Sequence, residues 1–192
     1  MPAPTFNPDR IARYEANGWR AYYEHNWLRL LRLIVATNQA EFHIPFPMSL
    51  LAAYYITRAS AAWVSTNHDR DAVRRLHEKY YEIVRRYSGL TFDVPRIAAL
   101  EEQYWEVHRR LSGKPDKTEF VDTMVALHSE LFNISPDEAR ESAALRVAAN
   151  TTVDEITGKR STDPEADWRK LEDQLRRCYR SLLDVLQAKA AV

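Results

Sequence analysis

The stretch SLLAAYYITRASAAWV, Ser49 to Val64, holds one charged residue, Arg58, and the uncharged run around it extends from Phe42 to His68. Its reading decides the fold. A helix that crosses a membrane needs roughly 20 predominantly apolar residues, and here Tyr54, Tyr55, Thr57, Ser60 and Ser65 dilute the run along with the arginine. The segment is therefore expected inside a soluble protein. Wound as a helix it has no wet face, because Leu50, Leu51, Ile56, Trp63 and Val64 point in every direction and alanines fill the gaps. Such a helix is either central or covered by a second copy, which makes a homodimer the expected partnership. A guanidinium desolvated there must find a carboxylate, carbonyl groups or an aromatic face.

Outward from this stretch the punctuation is helical. The chain has only four glycines, at 18, 89, 113 and 158, and the last three close apolar-periodic segments, suiting the left-handed residue just past a helix end. Start signals answer the stops. Asn7 followed by Pro8 is a cap with proline at the first helical position, and Phe6 with Ile11 has hydrophobic-staple spacing. Ser135 to Glu138 (SPDE) is a capping box, and DKTE from Asp116 and TDPE from Thr162 repeat the theme. No segment alternates cleanly at period two. The fold expected is a single all-α domain over residues 1–192, a bundle of about seven helices at roughly 8–38, 48–66, 69–88, 93–112, 117–132, 136–157 and 163–188, joined by short loops, the first bending at Gly18. In the last helix Leu171, Leu175, Cys178, Leu182 and Val185 step by four and three, a seam for a neighbouring helix or a second copy.

Lys+Arg and Asp+Glu both number 27, so no basic field draws the chain to nucleic acid or anionic lipid, and neither is an expected partner. The arginine pairs at 74–75, 85–86, 109–110 and 176–177 have acids beside them and read as solvated helix faces. Cys178 is the only cysteine, which excludes an intramolecular disulfide and a thiolate zinc site and fits a reducing compartment. The N-terminus has no apolar run of signal-peptide length, so a cytoplasmic location is expected. Four scattered glycines form no phosphate-cradling loop, and no nucleophile elbow is present.

The inward stripe of the first helix collects Ala12, Glu15, Trp19, Tyr22, Tyr23, Asn26, Leu30, Leu33, Ile34 and Thr37. Glu15 and Asn26 thus lie among aromatics, and Glu15 is the natural partner for Arg58. With Trp19, Tyr23, Tyr54 and Tyr55 these residues outline a ring-lined cavity suited to a flat or carboxylated small molecule. The alanines at 139, 143, 144, 148 and 149 favour tight packing of the sixth helix, so the pocket is expected among the earlier ones.

Histidines give a second candidate. His77, His108 and His128 face inward, and consecutive antiparallel hairpins set His77 level with Trp105, His128 level with Glu102 and near Glu101, and Asp122 level with His108. A metal site of His77, Glu101, His108, Asp122 and His128 is geometrically open. In length and helix content the chain resembles carboxylate-bridged two-iron proteins of the ferritin-like class, but their inward Glu-x-x-His pairs are missing, as are His-x-x-x-His and His-Glu-x-x-His. The function expected is a non-catalytic ligand-binding or interaction module with no cofactor. A metal-dependent enzyme or sensor using those histidines and carboxylates is the alternative.

Overall fold

The structure, a computed structural model, describes residues 5–191. Among these the regular elements are eight α-helices and no strand: α1 (Pro8–Tyr23), α2 (Trp27–Glu41), α3 (Met48–Trp63), α4 (Arg70–Ser88), α5 (Val94–Leu111), α6 (Thr118–Phe132), α7 (Pro136–Thr157) and α8 (Pro164–Ala190). The connections hold three to six residues, so each helix packs on the next along the chain, and α1 also packs on α8. No helix of the described residues is long and apolar enough to cross a membrane.

The extra helix comes from a break in the expected first one. Gly18 does not bend it; α1 runs through that residue, and a Cβ there would meet Leu30 and Leu33 of α2 at ordinary contact distances of 3.8 and 4.0 Å. The chain turns instead at Glu24, His25 and Asn26. His25 has φ 54°, its N–H donates to the Tyr22 carbonyl at 3.0 Å and that of Asn26 to the Ala21 carbonyl at 2.8 Å. This is the Schellman pattern with histidine where glycine is usual. The Asn26 side chain then accepts from Arg29 N–H at 3.1 Å and caps α2. Without a glycine, the sequence gives no stop signal at this point.

Most other ends lie within two residues of expectation. Gly89 and Gly113 take φ of 74° and 72°, and the Ser135–Glu138 capping box forms in both directions. Two signals act differently. Asp163, rather than Thr162, caps α8, and α6 has no side-chain cap, Asp116 instead bonding Thr118 N–H at 2.9 Å. At the end of α7 Lys159, not Gly158, is left-handed, with φ 58°. Gly158 is needed for room: a Cβ there would stand 2.5 Å from the Arg160 guanidinium and 2.7 Å from the Asp154 carbonyl oxygen.

The seam of α8 is used within the chain, Leu171, Leu175, Cys178 and Leu182 being buried along α8, which packs on α7 and α1. The alanines Ala139, Ala143 and Ala149 of α7 are buried too. The second expected helix, α3, is not central. Its small residues Ala52, Ala53 and Ala59 turn inward and let α2 and α4 approach, whereas Leu50, Leu51 and Tyr54 are exposed. Replacing Asn26 with alanine is expected to lower the unfolding free energy by about 1 kcal/mol, and Asn26→Asp is expected to retain it, both read from urea denaturation.

Candidate functional site

All eight helices contribute to the wall of one cavity of about 600 Å³, within the range of small-molecule sites. Its wall mixes aromatic and aliphatic side chains, and its polar groups gather in two places.

At one end α1, α7 and α8 meet. Arg146 Nη1 donates to Glu15 Oε2 at 2.7 Å and Nη2 donates to the other carboxylate oxygen. The Tyr179 hydroxyl donates to Glu15 Oε2 at 2.7 Å, and the guanidinium lies 5.3 Å from the centre of the Trp19 ring. A forked pair of this kind satisfies both charges in a place that would not tolerate either alone. Removing one partner of a buried pair costs roughly 3–5 kcal/mol.

Two more carboxyls share this end. Glu101 of α5 accepts from the Tyr81 hydroxyl at 2.8 Å and from Trp105 Nε1 at 2.7 Å; burial raises its pKa against the pull of those donors. Glu41, the last residue of α2, lies deep in the molecule and lines the cavity, keeping part of its surface accessible. Burial pushes its pKa up to about 8, with Glu15 adding and Arg146 opposing. Tyr80 beside it donates to Asn38 Oδ1 at 3.1 Å.

The other polar group bridges α5 and α7 through side chains. His108 Nε2 is 2.9 Å from Asp154 Oδ1, and Lys117 stands 3.9 Å from the second oxygen. Arg109 lies over the Trp63 ring at 4.5 Å and donates to the Trp63 carbonyl. Tyr104 donates to Asn150 Oδ1 at 3.1 Å between the two groups.

Of the ligand residues expected from sequence, Glu15, Trp19 and Tyr23 line the cavity and Arg58, Asn26, Tyr54 and Tyr55 do not. Arg58 is exposed on the outer side of α3 and donates to the Tyr54 hydroxyl at 3.0 Å. It makes no pair with Glu15, because Ala52, Ala53, Ala59 and Trp63 take the inward positions and Arg58 falls on the outer face with Leu51 and Tyr54. Asn26 is exposed and occupied in capping. Tyr55 lies under Lys79 Nζ at 5.6 Å. The pocket also extends to α7 and α8, against expectation: Arg146 shares the buried stripe of α7 with Ala143 and Ala149, three positions to either side, and enters the cavity from it.

Glu101, His108 and His128 of the metal candidates border the cavity; His77 and Asp122 do not. His77 packs edge-on to Trp105 at 4.6 Å, as the hairpin register requires, with neither ring nitrogen partnered. His128 pairs with the Ser142 hydroxyl at 2.8 Å. Asp122 is on the surface 3.6 Å from Arg140, so the expected level pair with His108 does not form. Glu102 faces α4, held by Arg70 and Arg74 at 2.7 Å each. Among the described residues no three of His, Cys, Asp and Glu stand close enough to hold one ion. Cys178 borders the cavity as a buried thiol, its pKa pushed up to about 12 by burial.

Sequence reasoning passed over Arg146, Glu41, Asn38, Tyr80, Tyr81 and Tyr179. A signal existed for two of them: Arg146 is the only charge between Glu141 and Asp154, and Glu41 the only one between Arg32 and Arg58. Compared with protein-family profiles, with curated proteins and with solved structures, the chain matches none.

These burials fix a pH dependence. Burial pushes the pKa of His77 down to about 4 and that of His128 to about 3, so their contribution is complete above the ordinary histidine value near 6.5 and is lost as pH falls. Glu41 runs the other way. It keeps its proton in the folded state up to about 8, where the unfolded chain has released it, so stability declines as pH rises toward 8. From pH 6.5 to 8 the wild type is expected to lose about 2 kcal/mol on this account. Urea unfolding at the two pH values is expected to converge in Glu41→Gln.

Proposed function

We propose that this protein is a non-catalytic small-molecule-binding module, a bundle of eight helices closed by the packing of α1 on α8 around a ligand cavity. The observation that carries this reading is the cavity of about 600 Å³ walled by every helix. Protein interiors are packed about as densely as organic crystals. A space of this size, ringed by aromatics and furnished with a few convergent polar groups, therefore suits a flat guest. The single thiol, Cys178, supports a reducing cytoplasmic location. The alternative of a histidine and carboxylate metal enzyme with ferritin-like architecture has less in its favour, since His108 and His128 are engaged by Asp154 and Ser142.

A second reading, self-association, rests on the outer side of α3. Phe46 is 68% exposed, Tyr54 44%, Leu50 40% and Leu51 38%, and Arg58 is the only charge within this apolar row. A nearly uncharged face offers little to a charged partner and is self-complementary across a twofold axis, so the partner proposed is a second copy of this chain.

Two measurements test these readings. Indole is expected to bind the wild type in calorimetric titration and to raise its melting temperature, and Leu33→Trp, which fills the cavity from α2, is expected to abolish both effects. Absence of indole binding to the wild type, or equal binding to the variant, overturns the cavity reading. Light scattering over a range of concentrations is expected to give a dimer that Leu51→Glu converts to monomer; a monomer at every concentration of wild type removes self-association.

A further inference from the structure

The two ends of the cavity differ in how their charges are matched. At the Arg146 end three carboxyl groups, those of Glu15, Glu41 and Glu101, face one guanidinium, and both terminal nitrogens of that guanidinium are taken up by Glu15. The other arginine of the wall, Arg109, is held over Trp63, and no lysine lines the cavity among the described residues. Glu101 has two donors. Glu41 has none: among the described residues no side chain or backbone group hydrogen-bonds or ion-pairs with its carboxyl. A buried carboxylate without a partner is costly, and here the open side of the group is the cavity itself.

We propose that this end of the cavity takes a protonated amine carried on a flat apolar body, with the Glu41 carboxylate as its counter-ion. This deepens the proposed function and rests on it. The ammonium would supply the donor that Glu41 lacks, and an electron-rich ring beside it, that of Tyr80, favours a cation. The expected carboxylate ligand for an arginine site is thereby reversed at this end, because Arg146 is already neutralised by Glu15.

Loading carries a proton signature. The ionisable groups that share this end of the cavity with Glu41 are Glu15 from α1, Tyr80 and Tyr81 from α4, Glu101 from α5, His128 from α6, Arg146 from α7, and Cys178 and Tyr179 from α8. Burial holds His128, Cys178 and the three tyrosines neutral near pH 7, and Arg146 stays charged. An arriving ammonium turns Glu41 from acid to carboxylate, and its proton leaves to solvent. Amine binding should therefore strengthen from pH 6 to pH 8.

The test is a matched series on one ring: tryptamine as the cation, tryptophol as the neutral analogue and indoleacetate as the anion, titrated calorimetrically into the wild type. Tryptamine is expected to bind about tenfold or more tightly than tryptophol, the scale of a charge-assisted hydrogen bond, with proton release and with indoleacetate weakest. Glu41→Gln, which keeps the size of the group, is expected to remove the preference for tryptamine and the proton release. Tryptophol or indoleacetate binding as tightly as tryptamine to the wild type overturns the charge assignment and leaves the cavity reading standing. Failure of all three to bind overturns both. The wild-type series needs no variant, so a folding defect in Glu41→Gln does not blunt it.

Discussion

The fork between Arg146 and Glu15 ties the first helix to the seventh, and Tyr179 draws in the eighth. Each helix packs on its neighbour along the chain, and the contact of α1 with α8 closes the series. Neither charge could sit so deep without the other, because desolvating a lone ion costs several kcal/mol. The pair therefore couples a long-range closure to a local chemical requirement. It also sets the field inside the cavity, where Glu41 and Glu101 feel both partners.

The two lone arginines of the chain's apolar stretches make an instructive contrast. Arg58 and Arg146 are each flanked by alanines, and composition alone cannot separate them. What separates them is whether the arginine falls on the inward stripe. In α3 that stripe holds Ala52, Ala53, Ala59 and Trp63, Arg58 stands off it, and Tyr54 catches the cation at the surface. In α7 Arg146 stands three positions from Ala143 and from Ala149, on the buried stripe itself, and enters the cavity. Desolvation of Arg58, the premise that made it a ligand candidate, fails on this asymmetry.

Local signals were read well because caps act over three or four residues. The helix ends at Ser135, Gly89 and Gly113 follow from bonds within a single turn. The inward stripe was legible for a similar reason: Glu15, Trp19, Tyr22, Tyr23, Leu30, Leu33, Ile34 and Thr37 all line the cavity, although the chain breaks between the first four and the last four. His25 in the left-handed region hid the break, since the residue usual there is glycine. The pairing of His77 with Trp105 came from hairpin register, a near-neighbour property. Partners distant in the chain were beyond reach: Glu15 and Arg146 are 131 positions apart, and no periodicity says that the first helix meets the seventh. Glu41 escaped notice by standing one position before the uncharged run that drew attention.

Only Leu30 and Asn38 of α2 are buried outright, while Leu33, Ile34, Thr37 and Glu41 look onto open volume. Dispersion attraction needs atoms on both sides, so this inner surface gains less cohesion from the protein than a packed helix face does. Under the proposed function a guest would supply the facing atoms, in effect a ninth piece of core. Rigidity of α2 and occupancy should then rise together, since whatever binds only the folded form also steadies it.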